Sequence, residues 1–163
     1  MERSNLDKSK YMNLALHLAK KSYKLGEIPV GAVVVLHGKV IGYGYNLKET
    51  LEDATQHAEI RALKMAAKTT GTYHLEGATM YTTLEPCAMC AGAMILFRID
   101  KLVIGAKSPR MGAAGSNLNI LDREGLNHRV KVEYSIYGEK CSQLISKFFK
   151  NVRKNKKQPM FET

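Results

Sequence analysis

Two short patterns constrain this chain most: His57-Ala58-Glu59 and Pro86-Cys87-Ala88-Met89-Cys90, each at the start of a segment that reads as a helix. Cysteines at i and i+3 lie on one helical face, so both thiolates can point at one ion. The partial positive charge of the helix N-terminus helps them lose their protons. Cys87 and Cys90 thus supply two legs of a tetrahedron, and His57, from the neighbouring helix, supplies a third. Three protein ligands leave a fourth position for water, the count of a catalytic zinc site rather than a structural one. Thiolate with imidazole also favours zinc over magnesium or calcium. Glu59 follows His57 on a different vector, so its carboxylate can approach the water without binding the metal and can carry a proton to a substrate. Either pattern alone is weak evidence. In this order, at two helix starts, they require a fold that brings those starts together.

From Ser9 to Leu25, the residues Tyr11, Leu14, Leu18 and Leu25 recur at helical spacing, which predicts an amphipathic first helix. Ile28 to Leu36 is valine-rich, His37-Gly38-Lys39 supplies a turn, and Val40 to Tyr45 resumes an apolar, glycine-spaced run, together predicting a hairpin. A second helix is expected over His57 to Lys68 and a strand over Ala78 to Thr83. After the break at Glu85-Pro86 a helix is expected over Cys87 to Phe97, with the proline at its start. Lys101 to Ala106 and Arg129 to Ile136 read as strands on either side of a glycine-rich loop through Gly112, Gly115 and Ser116, and a last helix begins near Gly138. Strands alternating with helices predict an α/β domain whose later strands are parallel. Ligands of such sheets lie beyond the carboxyl ends of the strands, beside helix N-termini.

A chain of 163 residues, 45% hydrophobic and 25% charged, fits one globular domain with one active site. No run is long and apolar enough to span a membrane, and the polar stretch Met1 to Tyr11 does not resemble a signal peptide. Three cysteines, two of them in one short segment, fit a reducing compartment, so a cytoplasmic location is expected. The net charge of +10 predicts attraction for polyanions, nucleic acid above all. Lys147, Lys150, Arg153, Lys154, Lys156 and Lys157 form an acid-free basic stretch beside Phe148 and Phe149. A catalytic domain over 1–150 is expected, with a basic tail over 151–163 that extends the last helix. The plain reading of such a tail is a solvated helix end. The functional reading is phosphate contact along an RNA stem, with an aromatic stacking on an unpaired base. The metal motifs favour the second.

The H-x-E and P-C-x-x-C pair is the signature of zinc-dependent nucleobase deaminases, in which hydroxide attacks C6 of adenine or C4 of cytosine while a glutamate moves the protons. Beyond these motifs, the matching stretches are Glu27-Ile28-Pro29-Val30-Gly31-Ala32, Gly44-Tyr45-Asn46, Thr83-Leu84-Glu85, Gly112-Ala113-Ala114-Gly115-Ser116, Asn127-His128-Arg129-Val130, and Phe148-Phe149 with the basic residues after it. Over nearly its full length the chain resembles the bacterial tRNA-specific adenosine deaminases of the cytidine/deoxycytidylate deaminase superfamily. The resemblance implies a three-layer α/β/α fold with a five-stranded mixed sheet and helices on both faces. It implies one zinc per subunit, a homodimer, and conversion of adenosine to inosine at the wobble position of an arginine tRNA, with the anticodon stem-loop as the bound element. It also implies that Asn46 hydrogen-bonds the flipped nucleoside, that the Ala58 backbone reads the base, that Val30, Leu84 and Pro86 line the pocket, and that Phe149 and Arg153 contact RNA. One position departs from the family: Ser108, in Lys107-Ser108-Pro109-Arg110-Met111, stands where an acidic residue is usual. The family's loop touches nucleotides around the target, so an altered preference for flanking nucleotides is expected.

The other notable residues have plainer readings. Cys141 reads as a small buried hydrophobe, and Met89 and Met94 as core packing. His17, His37 and His74 read as structural or surface residues, and no chemical role attaches to His128. Two other functions share features with the first. One is deamination of a free base or nucleoside, such as guanine or cytidine, or of single-stranded DNA, since the loops around a shared zinc core choose the substrate. The other is a zinc-stabilised RNA-binding module, which Glu59 and the lack of a fourth ligand at suitable spacing argue against.

Overall fold

The computed structural model describes residues 2–135 and 137–157. Its elements are α1 (Glu2–Lys24), β1 (Gly31–Leu36), β2 (Lys39–Tyr45), α2 (Ala58–Thr70), β3 (Thr79–Leu84), α3 (Ala88–Leu96), β4 (Lys101–Ala106), β5 (Lys131–Tyr134) and α4 (Gly138–Lys157). The strands form one mixed sheet in the order β2-β1-β3-β4-β5. β1 pairs antiparallel with β2 and β3, while β3, β4 and β5 run parallel, as the strand and helix alternation predicts. Helices cover both faces. Met80, Leu102 and Ile104 point into one core with Leu63 of α2 and Met94 of α3, whereas Val33, Tyr81 and Val103 point into a second core with Met12 of α1 and Cys141 of α4. Burial on both faces explains why β1 is a continuous run, Gly-Ala-Val-Val-Val-Leu, without polar alternation.

The first helix starts at Glu2, ahead of the expected Ser9, because polar residues carry no periodic signal yet nothing in them breaks a helix. Its buried stripe also differs from the expected one. Tyr11 and Leu18 are buried, but Leu14 and Leu25 are exposed, and Met12, Ala15, Leu16 and Ala19 complete the face. Large side chains carry the periodic pattern, whereas small ones decide this contact: Gly31 of β1 lies directly under the Ala15 and Ala19 backbone. Met89 does not pack in the core. It is exposed with Ala88 on the outer face of α3, whereas Cys90, Ala91 and Met94 on the opposite face are fully buried. The strand expected through Ile136 ends at Tyr134, and Ile136 itself lies outside the described residues. α4 runs unbroken past residue 150 to Lys157; the rest of the basic tail, 158–163, lies outside the described residues.

The glycine-spaced second strand also seats the site. A Cβ on Gly42 would meet Ala62 O at 2.3 Å and Ala66 N at 2.6 Å, both backbone atoms of α2. Helix and strand therefore touch main chain to main chain, and no rotamer change can admit a methyl group. Gly42→Ala is expected to destabilise the chain by about 3 kcal/mol and lower Tm by roughly 10 °C. A thermal melt with no shift would mean that α2 slides freely over β2.

Candidate active site

His57 and Cys87 occupy the N-cap positions of α2 and α3, both with extended backbone (φ −78°, ψ 151° and φ −72°, ψ 175°). Neither side chain caps its own helix, so both are free to face each other. His57 Nδ1 lies 3.6 Å from Cys87 Sγ and 3.5 Å from Cys90 Sγ, and the three ligand atoms all fall within 4.8 Å of one another. Zinc bonds of ~2.3 Å to sulfur and ~2.05 Å to nitrogen, at a tetrahedral angle, give an N to S edge of about 3.6 Å. The donor set thus fits zinc in chemistry and in spacing. The expected ligands are brought together, and they form the metal-competent cluster found among the described residues.

Electrostatics follow from the shared space. The Cys90 thiol donating to Cys87, and then His57, draw the Cys87 thiol down to about 4. Cys90 is pushed upward by the same bond and by burial, and His57 is raised chiefly by its bond to Cys87. Glu59, two residues after His57 in the first turn of α2, is only 4% exposed, and burial pushes its carboxyl up to about 7. A carboxyl balanced there can both accept and release a proton near neutral pH.

The remaining expected residues surround this cluster to differing degrees. Asn46 Oδ1 accepts the Ala58 N–H at 2.8 Å, supplying the cap that His57 does not, and Asn46 Nδ2 donates to Ile28 O at 3.0 Å. Val30 and Pro86 are buried and Leu84 is half-buried, with Val30 O accepting from Asn46 N. Ser108 is half-buried in the loop after β4 and donates its backbone N–H to Glu85. Phe149 and Arg153 are exposed on α4, one turn apart and away from the cluster. Phe148, next to Phe149, packs on Tyr23 at 5.8 Å, and the adjacent Ser22 donates to Asn46 O. His128, without an expected role, donates from Nε2 to Ile99 O at 2.7 Å and so ties the loop before β5 to the turn between α3 and β4.

Two buried carboxylates were not singled out by the sequence. Glu27 accepts the Glu49 and Thr50 N–H groups and fixes the loop that follows Asn46. Glu85 accepts N–H groups of Ser108, Ala114 and Ser116 from the loop after β4. The available signal is an acid shortly before the apolar strand β1 and another directly after β3, each beside a loop whose backbone donors have no ladder to join.

A family model described as the cytidine and deoxycytidylate deaminase zinc-binding region matches residues 6–106, and the chain belongs to this family of zinc-dependent, hydrolytic deaminases. Its relatives narrow the class. The tRNA-specific adenosine deaminase of Bacillus subtilis is 45% identical over 147 residues, covering 90% of this chain and 91% of the relative. The tRNA-specific adenosine deaminase of Haemophilus influenzae is 47% identical over 156 residues, covering 95% and 90%. A solved structure from work on A-to-I editing by tRNA:A34 deaminases matches with a TM-score of 0.80 at 37% identity, over 83% of this chain and 99% of that one.

Proposed function

We propose that this chain converts adenosine to inosine at the wobble position of a tRNA, with an arginine tRNA as substrate and the anticodon stem-loop as the recognised element. The observation that carries the chemistry is the pairing of His57, Cys87 and Cys90 on two helix starts with the buried Glu59 beside them. Relatives at 45% and 47% identity that act on tRNA adenosine support the substrate. Zinc held by the trio supplies the Lewis acidity that makes water nucleophilic near neutral pH. Glu59 takes one proton from the attacking water as its oxygen bonds to C6 and hands it to the ring nitrogen, and the remaining proton of the new C6 hydroxyl passes by the same carboxylate to the amino group, so that the C6–N bond breaks and ammonia leaves. Asn46 Oδ1 keeps a second lone pair for the nucleoside while it holds Ala58 N–H, and binding of the base shares or exchanges that bond. Val30, Leu84 and Pro86 form the pocket wall, and Ser108 meets the nucleotides beside the target. Phe149 and Arg153, at i and i+4 on α4, offer a stacking surface and a phosphate contact on one face. The domain is taken to span 1–150 with the basic stretch beyond it, working as a homodimer in the cytoplasm, where its tRNA substrate resides.

The test is inosine formation in an arginine tRNA anticodon stem-loop at graded salt, comparing the wild type with a variant carrying both Arg153→Ala and Lys154→Ala. Conversion is expected, with log(kcat/KM) falling linearly in log[salt]. The variant should show a slope shallower by about 1 to 2. Conversion of a free nucleobase alone, indifferent to salt, would reassign the substrate.

A further inference from the structure

The two residues between the last residues of β3 and the metal ligand Cys87 do more than end a strand. Glu85 is 3% exposed. Its Oε1 accepts Ala114 N–H at 3.1 Å and Ser116 N–H at 3.0 Å; its Oε2 accepts Ser108 N–H at 2.9 Å and the Ser116 hydroxyl. Glu85 N–H donates to Ala106 O, and Pro86 O accepts from Ala113 N–H, both at 2.8 Å. The loop closes on the carboxylate so tightly that a Cβ on Gly112 would lie 2.4 Å from Glu85 Cδ.

We propose that Glu85 is the positioning residue that sets substrate preference, by clamping the 108–116 loop to the turn that presents Cys87. A carboxylate has about four acceptor sites, and here the loop fills them all. Peeling the loop away would leave a buried charge without partners, so the loop has one favourable geometry rather than several. None of these bonds reaches His57, Cys87 or Cys90, so the carboxylate serves the loop and not the metal. Ser108 is itself one of the clamped donors, so whatever side chain stands at 108 is presented at a fixed place beside the Cys87 turn. This inference rests on the reading above, in which that loop meets nucleotides flanking the target.

The test uses the zinc-loaded full chain and Glu85→Gln. Glutamine can keep one acceptor oxygen toward Ala114 and Ser116, but its NH2 then opposes the Ser108 N–H and leaves that donor unpaired. Hydrogen exchange of the 108, 114 and 116 amides is expected to accelerate at least about tenfold. KM for the stem-loop should rise by a similar factor, with kcat changing less than about threefold and zinc content unchanged. Ser116→Ala removes one bond from an exposed residue; it should move the same readouts by about threefold, and it decides the matter if Glu85→Gln does not fold. Unaltered amide exchange and KM would overturn the proposal, as would a loss of zinc in step with kcat, which would put the role of Glu85 in α3. A wild type that converts no stem-loop adenosine would overturn the substrate reading itself, and amide exchange would still report whether the clamp exists.

Discussion

Glu59→Gln is expected to lose deamination by a factor of about 10² to 10⁴ while making the metal-free chain more stable above neutral pH. The two effects share one cause. Burial raises the carboxyl from 4.5 to about 7, with the Cys87 thiolate adding to the rise and His57 opposing it. A raised carboxyl means that the folded state holds a proton the unfolded chain has already released. The penalty is therefore absent below about pH 4.5, grows as pH climbs toward 7, and is complete above that. The interval corresponds to on the order of 3 kcal/mol. Glutamine fills the same space and never ionises, so the variant avoids the penalty. Its Tm in chelator should exceed that of the wild type by about 5 to 10 °C at pH 8 and match it at pH 4. Zinc content should be unaffected, since the metal-competent cluster comprises His57, Cys87 and Cys90. Retention of more than about a tenth of the activity would mean that another group carries the proton. Equal melting at both pH values would mean that the carboxyl is not held out of water.

The site was legible where chemistry demands particular residue types at particular spacing. Cysteines one turn apart, a histidine at another helix start and an acid beside it can be read from letters alone, because few other arrangements use them together. β4 matches its expected span, Lys101–Ala106, since a β-branched run bounded by polar residues has one plausible reading. What the letters hid were contacts set by small atoms and by long-range pairing. Leu14 looks like core and is exposed, while Ala15 and Ala19 look incidental and lie against β1, because backbone approach depends on what is missing from a side chain. Glu27 and Glu85 would pass for surface acids. Their partners are backbone N–H groups 22 to 31 residues away, and backbone donors leave no mark in a sequence. The start of α2 shows the same limit: His57 holds the N-cap position, but the oxygen that accepts the Ala58 N–H comes from Asn46, and only the fold brings it there.

Removing the metal is expected to abolish deamination and to lower Tm by about 10 °C, and the way zinc returns should reveal the state of its ligands. In the stripped chain Cys87 is already a thiolate at neutral pH, with its thiol drawn down to about 4. Cys90 keeps its proton, because the neighbouring thiolate and burial both oppose a second negative charge, and His57 is shifted toward imidazolium. Zinc takes only deprotonated ligands, so uptake at pH 7 must displace the Cys90 proton and part of the His57 proton. Titration calorimetry in buffers of different ionisation enthalpy should therefore count between one and two protons released from the protein per zinc, and affinity should weaken as pH falls. With zinc at a thousandfold over its Kd, the linkage adds about 4 kcal/mol to the folded state. Cys90→Ser removes a buried soft ligand and substitutes a hydroxyl that does not ionise, so its Tm should ignore added zinc and its activity should fall below detection. Release of no protons would mean that the ligands are already deprotonated, in which case the three side chains would not share the charge that their spacing imposes. A Cys90→Ser variant that still melts higher with zinc would place the ion on other donors and separate the metal from Glu59.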